Sequence, residues 1–272
     1  MRPEVRIAGH FGEFLQGRLG ADGPLVLVTV PCPDLGVFGW QIPGREFALH
    51  GSGQRLVTPD RARRFLRDLG ADLPGRVVLR AEMPAGSGAG ASTATLLALA
   101  ALAGAKADPM TIARACIGTE GASDPLMFSA PERILWASRQ GLALGAMPCL
   151  PRIEILGGFV GPARRTDPGD ENFPDVSDLV AGWRDIASPD DLAAIASESS
   201  RRTLALRGIG PDPTEALAHD MGALGFLIAH TGSARGLIFR PGAAPGDWRG
   251  RLRQAGFANV LKFRVGEYAC SP

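Results

Sequence analysis

Short apolar and β-branched runs, bounded by Gly, Pro or charged residues, fill the first third of the chain and predict strands at residues 5–8, 25–30, 36–40, 45–50 and 77–81. Between them the sequence predicts helices at 60–69 and 92–104, the first opened by Thr58 as cap and Pro59 in its first turn. A third helix is expected from Asp108 or Pro109 to Ile117. Past Gly145 the pattern becomes richer in helix. Residues 147–151 read as a connection, 153–156 as an apolar strand and Gly157-Gly158 as a turn. The Asp-, Pro- and Gly-rich stretch 164–178 is expected to be a surface connection rather than a lid. Helices at 177–187, 190–206, 213–219 and 246–255, and strands at 224–230, 237–240 and 260–265, complete a chain without internal repeats.

One junction departs from this ordinary alternation. Met83-Pro84-Ala85-Gly86-Ser87-Gly88-Ala89-Gly90-Ala91-Ser92-Thr93-Ala94 joins a strand to an Ala- and Leu-rich helix through glycines at alternate positions. Glycine lets the backbone approach an anion closely, and the helix that follows adds its positive end, so the junction is laid out as a phosphate cradle. Gly86-x-Gly88-x-x-Ala91 matches the dinucleotide fingerprint only loosely: Pro84 interrupts the tight strand-to-glycine junction, and Asp108 is a poor stand-in for the acidic residue expected downstream. A Walker loop is excluded, because no Gly-Lys-Ser/Thr follows and Lys106 and Lys262 are the only lysines.

The pattern from Pro84 to Ala94 resembles the second motif of the GHMP small-molecule kinases, and three further stretches match that family in order. Gly12-Glu13-Phe14-Leu15-Gln16-Gly17, followed by an apolar run and Pro31-Cys32-Pro33, is similar to the opening of the L-threonine kinases that serve cobalamin side-chain synthesis. Glu120-Gly121-Ala122-Ser123-Asp124-Pro125 resembles the segment that carries the family's acidic residues, and His230-Thr231-Gly232-Ser233-Ala234 its third motif.

Composition fits such an enzyme and excludes other classes. With 272 residues, 45% hydrophobic and 21% charged, the chain is long enough to bury one large or two modest cores. A net charge of +1 gives no reason to expect nucleic acid or a membrane surface as partner. Arg61, Arg63, Arg64 and Arg67 fall at helical spacing and are expected on a solvated face. The opening residues lack a signal-type apolar stretch, so a cytoplasmic location is expected. Cys32, Cys116, Cys149 and Cys270 show no metal-ligand spacing and are expected to be reduced thiols.

The resemblance implies an α+β architecture of two layers: an ATP-binding, ribosomal-S5-like domain over residues 1–146 and a ferredoxin-like domain over 147–272, with the site between them. It implies ATP and Mg²⁺, with the backbone of Pro84, Gly86, Ser87, Gly88, Ala89, Gly90 and Ala91 around the phosphates. Ser92 is the expected metal ligand and Thr93 its reserve; an ordinary helix cap is the other reading of Ser92. Glu120 is either a second metal ligand or a solvated helix-end charge. Asp124 is the expected base for the substrate hydroxyl. His10 stands where many relatives carry lysine or arginine, which weakens a direct phosphate role there. Glu13 is the candidate for a substrate ammonium, and Thr231, Gly232 and Ser233 for the floor of the site. Arg139, Arg164 and Arg165 are open candidates for a substrate carboxylate. The implied reaction converts L-threonine to O-phospho-L-threonine in a monomer or homodimer. Homoserine, a sugar or a mevalonate-like alcohol as substrate, or a non-catalytic nucleotide-binding relative, are the alternatives.

Overall fold

The computed structural model describes residues 3–164, 167–208 and 210–266, which form two sheets with helices packed around them. In chain order the elements are β1 (Val5–Arg18), β2 (Leu25–Ile42), β3 (Ala48–Gly51), α1 (Pro59–Asp68), β4 (Arg76–Ala81), α2 (Ala91–Leu102), α3 (Pro109–Glu120), β5 (Ile134–Ala137), β6 (Leu142–Ala146), β7 (Ile153–Phe159), α4 (Ser177–Trp183), α5 (Pro189–Arg207), α6 (Thr214–Asp220), β8 (Gly225–Ile228), β9 (Ala234–Phe239), α7 (Trp248–Gln254) and β10 (Ala258–Val265). The first sheet runs β3-β4-β2-β5-β6, with β1 paired to β2; the second runs β10-β7-β9-β8. All pairings are antiparallel except β3 with β4.

The helices start where local chemistry satisfies their first N–H groups. Thr58 Oγ1 accepts from Arg61 N at 3.3 Å, Asp108 Oδ1 accepts from Met110 and Thr111 N at 3.0 Å, and Ser188 with Asp191 closes a capping box on α5. α2 lies against β1 and β2, while α5 packs on β8 and β1. One apolar cluster passes through both sheets, and the Phe11 ring meets Phe159 and Phe263 edge-on at 5.7 and 5.5 Å.

Several expectations change. The runs 25–30 and 36–40 are one strand, β2, because Pro31-Cys32-Pro33 bends it without ending it. The β1 partner steps from Gly36, opposite Ala8, to Cys32, opposite Gly9; Pro33, which has no N–H to offer, falls in the unpaired stretch. Gly157 and Gly158 are not a turn but the buried middle of β7. A side chain at Gly157 would meet the Phe11 ring, and one at Gly158 the backbone of Ala258. The hairpin β5–β6 was not expected at all. Cys32 and Cys116 are buried free thiols, but Cys149 is disulfide-bonded, against the expectation of four reduced cysteines. No helix among the described residues is long and apolar enough to cross a membrane.

Candidate active site

A cavity of about 320 Å³ opens where β1, the glycine loop, the α3–β5 connection and the β8–β9 turn converge. Its walls include His10, Glu13, Gly86, Gly88, Ala89, Gly90, Ala91, Ser92, Thr93, Glu120, Asp124 and Thr231.

The glycine loop takes its shape from Gly86, Gly88 and Gly90, whose φ angles of 78°, 74° and 71° lie in the left-handed region that side chains disfavour. Its carbonyls are turned into the protein. Gly86 O accepts from Arg164 N at 2.9 Å, Ser87 O from Ala234 N at 2.9 Å, Gly88 O from Gly12 N at 2.9 Å and Ala89 O from His10 N at 3.2 Å. With the carbonyls so committed, the N–H groups of the first turn of α2 are left for an anion. α2 begins at Ala91 with Gly90 as its cap, one residue earlier than expected, so Ser92 sits inside the first turn and is not the cap. Gly232 presses on the loop from below: a Cβ there would lie 2.2 Å from the Ser87 carbonyl and 2.3 Å from Gly88 N. Gln54 secures the near end, its amide donating to Met83 O at 2.8 Å and accepting from Ala85 N at 2.7 Å on either side of Pro84.

Residues three apart on a regular strand face opposite ways. His10 and Glu13 nevertheless line the same cavity, because β1 changes register between them at Gly12. His10 Nε2 lies 3.3 Å from Asp124 Oδ2, and Nδ1 lies 3.1 Å from Gly12 O and 3.8 Å from Glu13 Oε1. Asp124 is held from the other side by Thr93, whose Oγ1 donates to Oδ2 and accepts from Asp124 N, both at 3.2 Å. The connection carrying Asp124 is pinned in turn. Ser123 N donates to Ser138 O at 2.9 Å, and the buried Trp136 Nε1 donates to Ser123 O at 2.7 Å.

These pairings set the charges. Burial works against a charged His10, but the Asp124 charge and hydrogen bond, helped by Glu13 and Gly12 O, prevail and raise the imidazole to about 9. Asp124 shows the mirror effect: burial pushes its carboxyl up, yet His10 and Thr93 hold it below the usual range. Burial and the nearby Asp124 charge raise Glu13 to about 7, against the lowering pull of His10 and the His230 N–H. The Asp124–His10 pair is therefore ionic at neutral pH.

The remaining candidates divide. Glu120 closes α3 on the cavity wall, 3.5 Å from Arg61 Nη1, so Arg61 faces the cavity and not simply solvent. Thr93, the reserve metal ligand, has its hydroxyl turned to Asp124. Thr231 reaches the cavity; Ser233 is buried behind it, and its carbonyl accepts from Val160 N at 2.7 Å. Neither Arg139 nor Arg164 lines the cavity, and Arg165 lies outside the described residues. Arg139 is engaged by Glu171 at 3.0 Å and by Asp170 O.

Sequence reasoning missed the cavity's outer wall. The stretch read as a surface connection contributes Pro168 and Phe173 to it. The Phe173 ring stacks on His230 at 4.1 Å and 4°, and the guanidinium groups of Arg139 and Arg207 stand over it at 5.7 and 5.3 Å. His230 is buried, and that burial with the nearby Arg207 lowers it to about 3, so the stack is built on a neutral imidazole. Phe173 could have been singled out only as a lone aromatic in a polar loop.

No protein-family model and no curated protein matches this sequence. Solved structures do match over nearly the whole chain. The Streptococcus pneumoniae phosphomevalonate kinase superposes with a TM-score of 0.66 at 12% identity, covering 96% of this chain and 98% of that one. The Methanococcus jannaschii mevalonate kinase gives 0.62 at 11% identity, covering 96% of each chain. A 4-(cytidine 5'-diphospho)-2C-methyl-D-erythritol kinase gives 0.55 at 21% identity, covering 97% of this chain and 100% of that one. The protein thus shares the α+β fold of these kinase structures.

Proposed function

We propose that the protein is an ATP-dependent phosphotransferase that phosphorylates the hydroxyl of a small alcohol. The observation that carries this reading is the position of Asp124: an ionised carboxylate, fixed by His10 and Thr93, in the same cavity as a glycine loop whose carbonyls face away. Phosphoryl transfer requires little more than a positioned hydroxyl, a proton acceptor and neutralised phosphate charge.

Asp124 accepts the proton of the acceptor hydroxyl as its oxygen attacks the terminal phosphorus and the bond to the departing diphosphate breaks. The His10 imidazolium keeps Asp124 ionised and aimed. Loop N–H groups and the α2 N-terminus take the growing charge on the phosphate oxygens. Ser92 and Glu120 offer the hard oxygen donors that suit Mg²⁺, and the ion, when bound there, neutralises phosphate charge. In this reading residues 1–146 are the ATP-binding, S5-like domain and 147–272 the ferredoxin-like one.

The finer assignment, L-threonine as acceptor for cobalamin side-chain synthesis, rests on the sequence motifs at Gly12–Gly17 and 230–234. Homoserine, a sugar or a mevalonate-like alcohol fits the fold equally well. ADP release from ATP and Mg²⁺, with L-threonine, L-serine, L-homoserine, mevalonate and galactose supplied one at a time, tests both levels. Turnover with any one supports the kinase reading; no turnover and no ATP binding would end it.

A further inference from the structure

A polyphosphate brings several negative charges to the glycine loop, yet the loop has no lysine, and Lys106 and Lys262 stand outside the cavity wall. Among the described residues three side chains on that wall could carry positive charge: His10, His230 and Arg61. His10 is taken up by Asp124, and burial keeps His230 neutral. Arg61 is left. Its Nη1 lies 3.5 Å from Glu120 Oε1, longer than the roughly 2.7–2.9 Å of a close charge-assisted bond. The side chain is 46% exposed, so this pair is weak. The other guanidinium donors have no partner among the described residues. Its neighbours on α1 are turned elsewhere, Arg63 to Asp60 at 3.2 Å and Arg64 to Thr119 O at 3.4 Å, and neither lines the cavity.

The elements around Arg61 decide which part of a ligand it meets. α1 starts just after the stretch whose Gln54 grips Met83 O and Ala85 N at the near end of the glycine loop. It packs on α2, the helix that the loop opens, and on α3, which ends at Glu120. The opposite side of the cavity, with Glu13, Gln16, His230 and Thr231, comes from β1 and the β8–β9 turn. A guanidinium fork matches a pair of phosphate oxygens and stays charged at any working pH. We propose that Arg61 is a polyphosphate-binding residue: from α1 it supplies the side-chain cation that the glycine loop lacks, and its unpaired donors take phosphate oxygens of the nucleotide. This rests on the kinase reading of the same cavity and adds to it a residue outside the four motifs.

The test measures, by calorimetry, the binding of ATP, inorganic tripolyphosphate, adenosine and L-threonine to wild type, Arg61→Gln and Arg63→Gln. Arg61 is half exposed, so Arg61→Gln is expected to fold, with Tm within about 2 °C of wild type. It is expected to weaken ATP and tripolyphosphate at least about tenfold, as the loss of a charge-assisted hydrogen bond does, and to leave adenosine and L-threonine unchanged. Arg63→Gln removes the same charge from the same helix outside the cavity and is expected to leave all four unchanged. An equal loss of ATP affinity in Arg63→Gln would reflect the overall field of the helix and overturn the inference. Tripolyphosphate bound as tightly by Arg61→Gln as by wild type overturns it as well. So does a loss confined to L-threonine, which would assign the fork to the acceptor's carboxylate, or an equal loss for adenosine, which would make Arg61 only a brace between α1 and α3. If wild type neither binds nor consumes ATP, the kinase reading falls, and tripolyphosphate still decides the role of Arg61: binding that Arg61→Gln weakens supports it, and no binding in wild type overturns it.

Discussion

His10 Nε2 lies 3.3 Å from Asp124 Oδ2, and the two residues come from different elements, a bulged strand and the connection after α3. The pair puts a cation beside the proposed base without a lysine or arginine. Asp124→Asn keeps the shape but removes the proton acceptor. It is expected to lower kcat by about two orders of magnitude or more. Steady-state kinetics alongside equilibrium nucleotide binding checks this, with affinity for ATP expected to change little.

The same pair makes activity depend on pH in a stated direction. Asp124 is held below the ordinary carboxylate range, so it stays ionised well into acid. His10 loses its proton only near 9, and above that pH the base loses its cationic partner. Activity is expected to fall on an alkaline limb near pH 9. His10→Gln should abolish that limb in a kcat profile.

Glu13 gives a prediction for stability. Its carboxyl is raised in the folded protein from 4.5 to about 7, so the folded state holds the proton more tightly than the unfolded one. That contribution is fully present below about pH 4.5 and is lost as pH rises to about 7; the shift corresponds to about 3 kcal/mol at most. Relative to Glu13→Gln, which has no proton to lose, wild type should become less stable across this window. Denaturant unfolding of both proteins at pH 4.5 and pH 7.5 measures the difference.

Gly232 tests the support beneath the glycine loop. Its missing Cβ would collide with the backbone of Ser87 and Gly88, which cannot swing aside as a side chain can. Gly232→Ala is expected to cost about 1–3 kcal/mol of stability and to weaken ATP binding at least about tenfold, as the loop is pushed off its geometry. Thermal unfolding and nucleotide titration read the two effects separately.

The glycine loop was legible in the sequence because its geometry depends on local residues, the glycines at 86, 88 and 90 and the helix-forming run after them. Helix starts at Thr58 and Asp108 were legible for the same reason, since a cap acts within three residues. What escaped depends on distant partners. Pro31-Cys32-Pro33 reads as a break, yet β1 supplies the pairing that carries β2 through it. Gly157 and Gly158 read as a turn because nothing nearby in sequence announces the Phe11 ring or the Ala258 backbone that needs their space. Phe173 joins the cavity wall through His230, 57 positions further along the chain. The register change at Gly12, which brings His10 and Glu13 to one face, left no pattern in the hydrophobic periodicity.

The most direct measurement is phosphorus NMR of the product formed from ATP, Mg²⁺ and each acceptor in turn. Phosphoryl transfer to a hydroxyl predicts a new phosphomonoester resonance that grows in step with ADP, and only when an acceptor is present. ATP left intact with every acceptor and no measurable nucleotide binding, or ATP converted to ADP and free phosphate alone, would contradict the kinase reading.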